Sequence, residues 1–148
     1  MPEYLLSLVA IVLVAVLFGS MVFFAGVMAP LTHRKLPPEV AGAFLREVFP
    51  VYYLVMIVVA LLSAAAAYKP NPIAAGALFL VGLGFVYARL FLLPRINRLR
   101  DEPETAEPGA FRRLHHQSVV INVTQMVAAL VILLALAIMG PLAQLFIH

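Results

Sequence analysis

Four polar side chains share one stretch of an otherwise apolar chain: His115, Ser118, Asn122 and Gln125, within FRRLHHQSVVINVTQ at 111–125. On a helix their spacing of i, i+3, i+7 and i+10 keeps them within roughly 80° of one face. Lipid cannot satisfy such a stripe, so it must face protein or trapped water. The stripe offers two kinds of chemistry. It can line a pocket for a polar or amphipathic small molecule. It can also hydrogen-bond neighbouring helices and fix their register, at roughly 1 kcal/mol per bond. His115 and His116 are adjacent and point about 100° apart, so they cannot chelate one ion as i, i+4 histidines do. His33 falls on the same side of the membrane, and His33 with His115 or His116 could bind a metal ion or ligate a haem iron axially. The methionines, Met21, Met28, Met56 and Met126 among them, read as packing in the absence of cysteine or a Met-x-x-Met cluster.

The elements that must position these groups follow from composition. The 148 residues are 64% hydrophobic and 11% charged, against about 45–50% and about 25% for a soluble domain. One small globule cannot hide that much apolar surface, so lipid is the expected solvent. With no cysteine, disulfides, thiolate metal sites and thiol nucleophiles are excluded. The net charge of +3 gives no reason to invoke nucleic acid. No P-loop, GxGxxG or paired nucleophile and base supports a soluble enzyme. No acid lies within a span, which argues against an ion-driven pump.

The apolar runs predict an all-α, antiparallel four-helix membrane bundle of one domain. Its spans lie at about 4–29, 51–68, 73–93 and 114–139. The first run is too long for a signal peptide, and its start carries Glu3 and no Lys or Arg, so it reads as a retained span. Gly19 and Gly26 would let another helix approach it. Pro37-Pro38-Glu39 marks a helix start, and Ala41, Phe44, Leu45 and Val48 repeat at helical spacing. They predict a short interfacial amphipathic helix running into the second span, kinked at Pro50. Ala60, Ala64 and Ala67 form a small-residue face, as do Gly84 and Ala88 in the third span. Glu47 is placed to pair with Arg89, Arg95 or Arg112. Gly140-Pro141 ends the last helix, leaving a short tail to His148.

The connections at about 30–50 and 94–113, with their helix ends, hold nine of the ten Lys and Arg; Lys69 alone lies opposite. The positive-inside rule then places both connections in the cytoplasm and both termini outside, in the plasma (inner) membrane.

Several short pieces carry a resemblance. Gly19-Ser-Met-Val-Phe-Phe, Val48-Phe-Pro-Val-Tyr-Tyr53, Ala88-Arg89 with Pro94-Arg95, and Phe111 with His115, Ser118 and Asn122 stand in one order across most of the chain. In these the chain resembles the transmembrane protein 205-like family of small four-span proteins. That resemblance implies a four-helix membrane fold and no settled activity. More distantly the chain is similar to anthrone-oxygenase-like membrane proteins, through Pro94, Asn97 and His115. It departs from their pattern in placing Leu99 one position early and in having no tryptophan.

The residues expected at a site are Tyr53, Arg89, Arg95, Asn97, His115, Ser118, Asn122 and Gln125, with His33, His115 and His116 as metal candidates. The first functional expectation is a cytoplasm-side pocket that binds, or helps move, an amphipathic small molecule or lipid, transport implying a homo-oligomer. The second is a small oxidoreductase in which His115, oriented by Asn97, acts as base or iron ligand on a quinone-like or haem group. The third is a structural subunit whose small-residue faces dock other membrane helices.

Overall fold

A computed structural model describes residues 2–102 and 107–139. The Gly140-Pro141 break and His148 lie outside the described residues, as do residues 103–106 of the acidic connection. The described chain is all-helical: α1 (Pro2–Phe23), α2 (Ala29–Lys35), α3 (Pro38–Ala67), α4 (Pro72–Tyr87), α5 (Leu93–Asp101) and α6 (Ala110–Met139). Two π-helical segments, Phe24–Met28 and Ala88–Leu92, join α1 to α2 and α4 to α5 without a break. The result is four apolar rods of 33, 30, 30 and 29 residues. At 1.5 Å per residue the longest reaches about 50 Å, against a hydrocarbon thickness of about 30 Å.

The rods form a ring. Each packs on its two sequence neighbours, and the last returns to the first through α1 and α6. Their backbones make no approach across either diagonal among the described residues. The inward faces repeat every three or four residues, the spacing of knobs-into-holes packing. Ala10, Val14, Leu17 and Met21 in α1 are wholly buried; Met56, Ala60, Ala64 and Ala67 in α3, and Ala75, Leu78, Val81 and Phe85 in α4, continue the core. In α6 the buried series is Gln125, Ala129, Ile132 and Leu136. Read backwards at the same period, it runs through Asn122, Ser118 and His115. The polar stripe is therefore the core face of α6, continued toward the other end of the bundle.

Side-chain size grades along these faces. Alanines dominate where α3 and α4 meet at the 68–71 turn, and small side chains let backbones approach closely. That turn is closed by Asn71, whose Oδ1 accepts from the Ala74 amide at 3.0 Å and caps α4. Toward the basic end the inward residues become Phe24, Phe49, Tyr52, Tyr53 and Phe85, and the helices must stand further apart to hold them.

Two prolines reinforce the difference. A proline inside a helix has no N–H, and its ring clashes with the carbonyl four residues back. The π segments end two residues before Pro30 and Pro94, and the amides of Ala29 and Leu93 reach back to the carbonyls of Phe24 and Ala88. The widened turn gives the displaced carbonyl room. Pro50 lies within α3 with no such segment, and the amphipathic turns expected before the second span are continuous with it in one 30-residue helix.

Gly19 and Gly26 do not receive a neighbour among the described residues, since a Cβ on either would meet nothing of them within 4 Å. Gly84 does. A Cβ there would fall 2.6 Å from Nε2 of Gln125, and that nitrogen donates to the Val81 carbonyl at 2.7 Å. Glycine at 84 makes the space in which α6 is bonded to α4.

Candidate functional site

At the basic end the four rods enclose a cavity of about 510 Å³, within the range that takes small ligands. Its floor is aromatic. Phe24 stacks on Tyr52 with centroids 4.3 Å apart, Phe49 lies 5.2 Å from Phe24 and 5.6 Å from Tyr53, and both tyrosines meet Phe85 at 6.4 and 6.2 Å. Helical spacing puts Arg46, Phe49, Tyr52 and Tyr53 along one side of α3, and all four line the cavity. The π segments contribute Phe24, Ala25 and Leu92. Such segments recur at functional sites, where the extra residue changes which side chains face inward.

The mouth is polar and basic. His33 from α2, Arg46 from α3, Asn97 and Arg100 from α5, and His115 from α6 all line it. Arg46 Nη2 meets Asp101 Oδ1 at 2.8 Å, tying α3 to α5. Arg100 donates to the Gly42 carbonyl at 3.3 Å, and its guanidinium stands 5.6 Å from the centre of the Phe111 ring, which itself stacks on His115. These contacts hold the last turn of α5 against the first turns of α3 and α6. Glu47 makes no ion pair with Arg89, Arg95 or Arg112 among the described residues; its neighbour Arg46 takes the interhelical role instead. Glu47 and Glu39 line a shallower outer hollow that shares His33, Arg46, Arg100 and Phe111 with the cavity.

Two buried polar atoms have no hydrogen-bond partner among the described residues: Arg46 Nε and the Tyr52 hydroxyl. Both residues line the cavity. Asn122 reaches the Tyr52 hydroxyl as a hydrogen-bonding side chain, short of a bond of good geometry. Ser118 donates to the His115 carbonyl at 2.8 Å, which leaves its oxygen able to accept.

Of the residues expected from sequence, Tyr53, Asn97, His115, Ser118 and Asn122 come together at this cavity, and Arg89, Arg95, His116 and Gln125 do not line it. Arg89 is half-buried within the second π segment, while Arg95 and His116 are exposed. Gln125 is buried against Val81 and joins two helices. His33 and His115 reach the same cavity from different helices. No group of three or more His, Cys, Asp or Glu among the described residues could hold a metal ion. Sequence reasoning missed Phe24, Arg46, Phe49, Tyr52 and Arg100. The helical recurrence of Arg46, Phe49 and Tyr52 was the available signal, since a basic residue and two aromatics share the side of α3 that carries Tyr53.

The fold and the composition define an integral membrane protein, a four-helix bundle closed at one end and hollow at the other. More particularly, the chain belongs to the family described as domain of unknown function (DUF4149), whose pattern matches residues 12–105. The match runs from the middle of α1 through α5 and stops before α6. No curated protein and no solved structure matches the chain.

Proposed function

We propose that this chain binds an amphipathic small molecule or a single lipid chain in the cavity at its basic end, and that this end faces the cytoplasm. The observation that carries the reading is the cavity itself: an aromatic floor, a basic rim, and two buried donors with no hydrogen bond of good geometry among the described residues. A buried polar atom left unpaired costs about 1–3 kcal/mol, and a ligand oxygen would recover part of it by drawing either side chain toward the cavity that both residues line. The orientation follows from the nine cationic residues gathered at this end, which suits a plasma (inner) membrane. The resemblance to the transmembrane protein 205-like group, carried by the motifs at 19–24, 48–53, 88–95 and 111–122, would fit the same picture.

The test is saturable binding of a neutral aromatic amphiphile, pyrene-butanol, to the chain in phosphatidylcholine nanodiscs. One-to-one binding is expected, and Ser118→Phe, which fills the cavity, should abolish it while the thermal unfolding midpoint stays within a few degrees. Unsaturable partitioning that ignores Ser118→Phe would sink the reading.

A second reading rests on His33 and His115 sharing the cavity. Two imidazoles from separate helices can ligate a haem iron axially, which would make the chain a small membrane oxidoreductase. An absorbance scan from about 350 to 700 nm with metal analysis decides it: a Soret band lost on His115→Ala supports the reading, and a colourless, metal-free sample after haem is supplied during expression opposes it.

A further inference from the structure

We propose that the occupant of this cavity is an anionic amphiphile, a carboxylate or phosphate ester on an apolar body, with its headgroup held by Arg46. The proposal rests on the reading that the cavity binds an amphiphile, and adds the sign of its charge and the residue that selects it.

Charge is distributed unevenly around Arg46. The titratable side chains His33, Arg46, Arg100 and His115 line the cavity, and no carboxylate does among the described residues. The acids nearby lie elsewhere: Glu39 and Glu47 line the outer hollow, and Asp101 bonds Arg46 from outside the cavity lining. A cationic headgroup would find no counter-charge on the cavity wall. An anionic one would find two guanidinium groups, of Arg100 and of Arg46, the latter shared with Asp101.

The two guanidiniums are not equally available. Arg100 is engaged with the Gly42 carbonyl and stands near Phe111. Arg46 gives only Nη2 to Asp101, while Nε is buried and donates to nothing among the described residues. Nε and Nη2 form one edge of the planar fork that grips carboxylate and phosphate in pairs. Asp101 occupies half of that edge. Nε is closed to a water-sized atom where it stands; a small turn of the partly exposed Arg46 side chain toward the cavity would open it to a ligand oxygen and complete the edge.

The body of the ligand follows from distance along α3. Tyr52 lies six residues beyond Arg46, a rise of about 9 Å, with Phe49 between them and Phe24 stacked on Tyr52. The headgroup site is therefore followed by apolar and aromatic wall. The Tyr52 hydroxyl, beside Asn122, is a second polar point at the inner end. Free phosphate would leave that wall uncovered, and an alcohol of the same length would bring Arg46 a neutral acceptor without the charge that strengthens the bond.

Displacement of pyrene-butanol from nanodisc-embedded protein tests the proposal with competitors that share one chain length: dodecyl phosphate, dodecanol and dodecyltrimethylammonium. Dodecyl phosphate should displace the probe at a concentration about tenfold below dodecanol, with the ammonium weakest. Arg46→Gln should bring the three within about twofold of one another, each displacement read against that variant's own pyrene-butanol affinity. Asp101→Asn removes the competing carboxylate and keeps the arginine, so it should strengthen dodecyl phosphate by about two- to fivefold, the scale of an exposed ion pair. Equal displacement by all three competitors would overturn the anionic assignment and leave the amphiphile cavity standing. Failure of pyrene-butanol to bind at all would remove the underlying reading as well. Loss of the phosphate preference in Asp101→Asn would show that the ion pair matters only for structure and would also overturn the proposal, as would displacement by inorganic phosphate as strong as by dodecyl phosphate. Phosphatidic acid placed in the disc separates the two sources of such an anion: displacement that depends on Arg46 assigns a bilayer lipid, and displacement by the single-chain ester alone assigns an anion arriving from water. Both support the proposal.

Discussion

The two ends of this bundle are built on the same helical period and come out opposite. At the 68–71 end, Ala60, Ala64 and Ala67 of α3 meet Ala74, Ala75 and Leu78 of α4 in continuous burial. At the basic end, Phe24, Phe49, Tyr52 and Tyr53 stand around a cavity of about 510 Å³. Nothing in the periodicity distinguishes the ends. The difference comes from side-chain size and from two prolines that widen the turns before them. In lipid no hydrophobic force pulls helices together, so approach is decided by how closely their surfaces fit. Small residues fit closely. A ring of aromatics interrupted by π segments holds the rods apart and leaves room.

The comparison can be broken most directly by equal truncations at the two ends. Leu78 is wholly buried in the tight end, and Leu45 lines the cavity. In a membrane the transfer part of a Leu→Ala cost largely disappears, because lipid is as apolar as leucine, and the cost of the new void remains. Leu78→Ala should therefore lose about 2 kcal/mol, and Leu45→Ala, beside space that already exists, about 1 kcal/mol or less. Unfolding in detergent by added denaturing surfactant measures both. Equal losses would mean that the cavity end is packed as tightly as the other.

The seam between the two regimes is Gln125. Gly84→Ala puts a methyl 2.6 Å from Gln125 Nε2, so the bond to Val81 must shift; a loss of about 1–2 kcal/mol is expected. Adding Gln125→Ala should recover part of it, because the clashing group is gone, and a double-mutant cycle reads the coupling. Simple additivity would show that the two residues do not oppose one another.

The smallest effect is expected at Tyr52. Its hydroxyl is buried with the approach of Asn122 and no hydrogen bond of good geometry among the described residues, so Tyr52→Phe removes a group that gains little from the protein. Stability should change by less than about 0.5 kcal/mol, or rise slightly. A loss above about 1 kcal/mol would reveal a bond to that oxygen and make the inner end of the cavity less available to a ligand.

Much of this was legible in the chain. The four spans, their all-helical character and the inward polar stripe follow from run length and spacing, since each rod in lipid must satisfy its own backbone. Tyr53, Asn97, His115, Ser118 and Asn122 were expected together and share one cavity. Arg89 and Arg95 were expected there too and do not line it, because a helical position predicts a face only if the helix is regular. Arg89 sits within a π segment, where one extra residue changes the direction that every following side chain takes. Gly19 and Gly26 were expected to let another helix approach, and no side chain of the described residues comes within 4 Å of a Cβ placed on either; small size permits contact without directing it.

The sequence by itself determined that the chain lives in lipid, how many times its helices can cross it, and which face of α6 turns inward. Those properties are local, set by apolar run length and by angles along one helix. Only the tertiary structure decided which inward residues meet. Gln125 and Asn122 share a face three residues apart, yet Gln125 meets the Val81 carbonyl at the space left by Gly84 and becomes a joint between helices. Asn122, one turn nearer the basic end, meets Tyr52 across a cavity. Their separate fates depend on the vertical register of α6 against α4 and α3, and on rods held apart by aromatic rings and π turns. No single helix carries that information, because it is a property of the distance between helices.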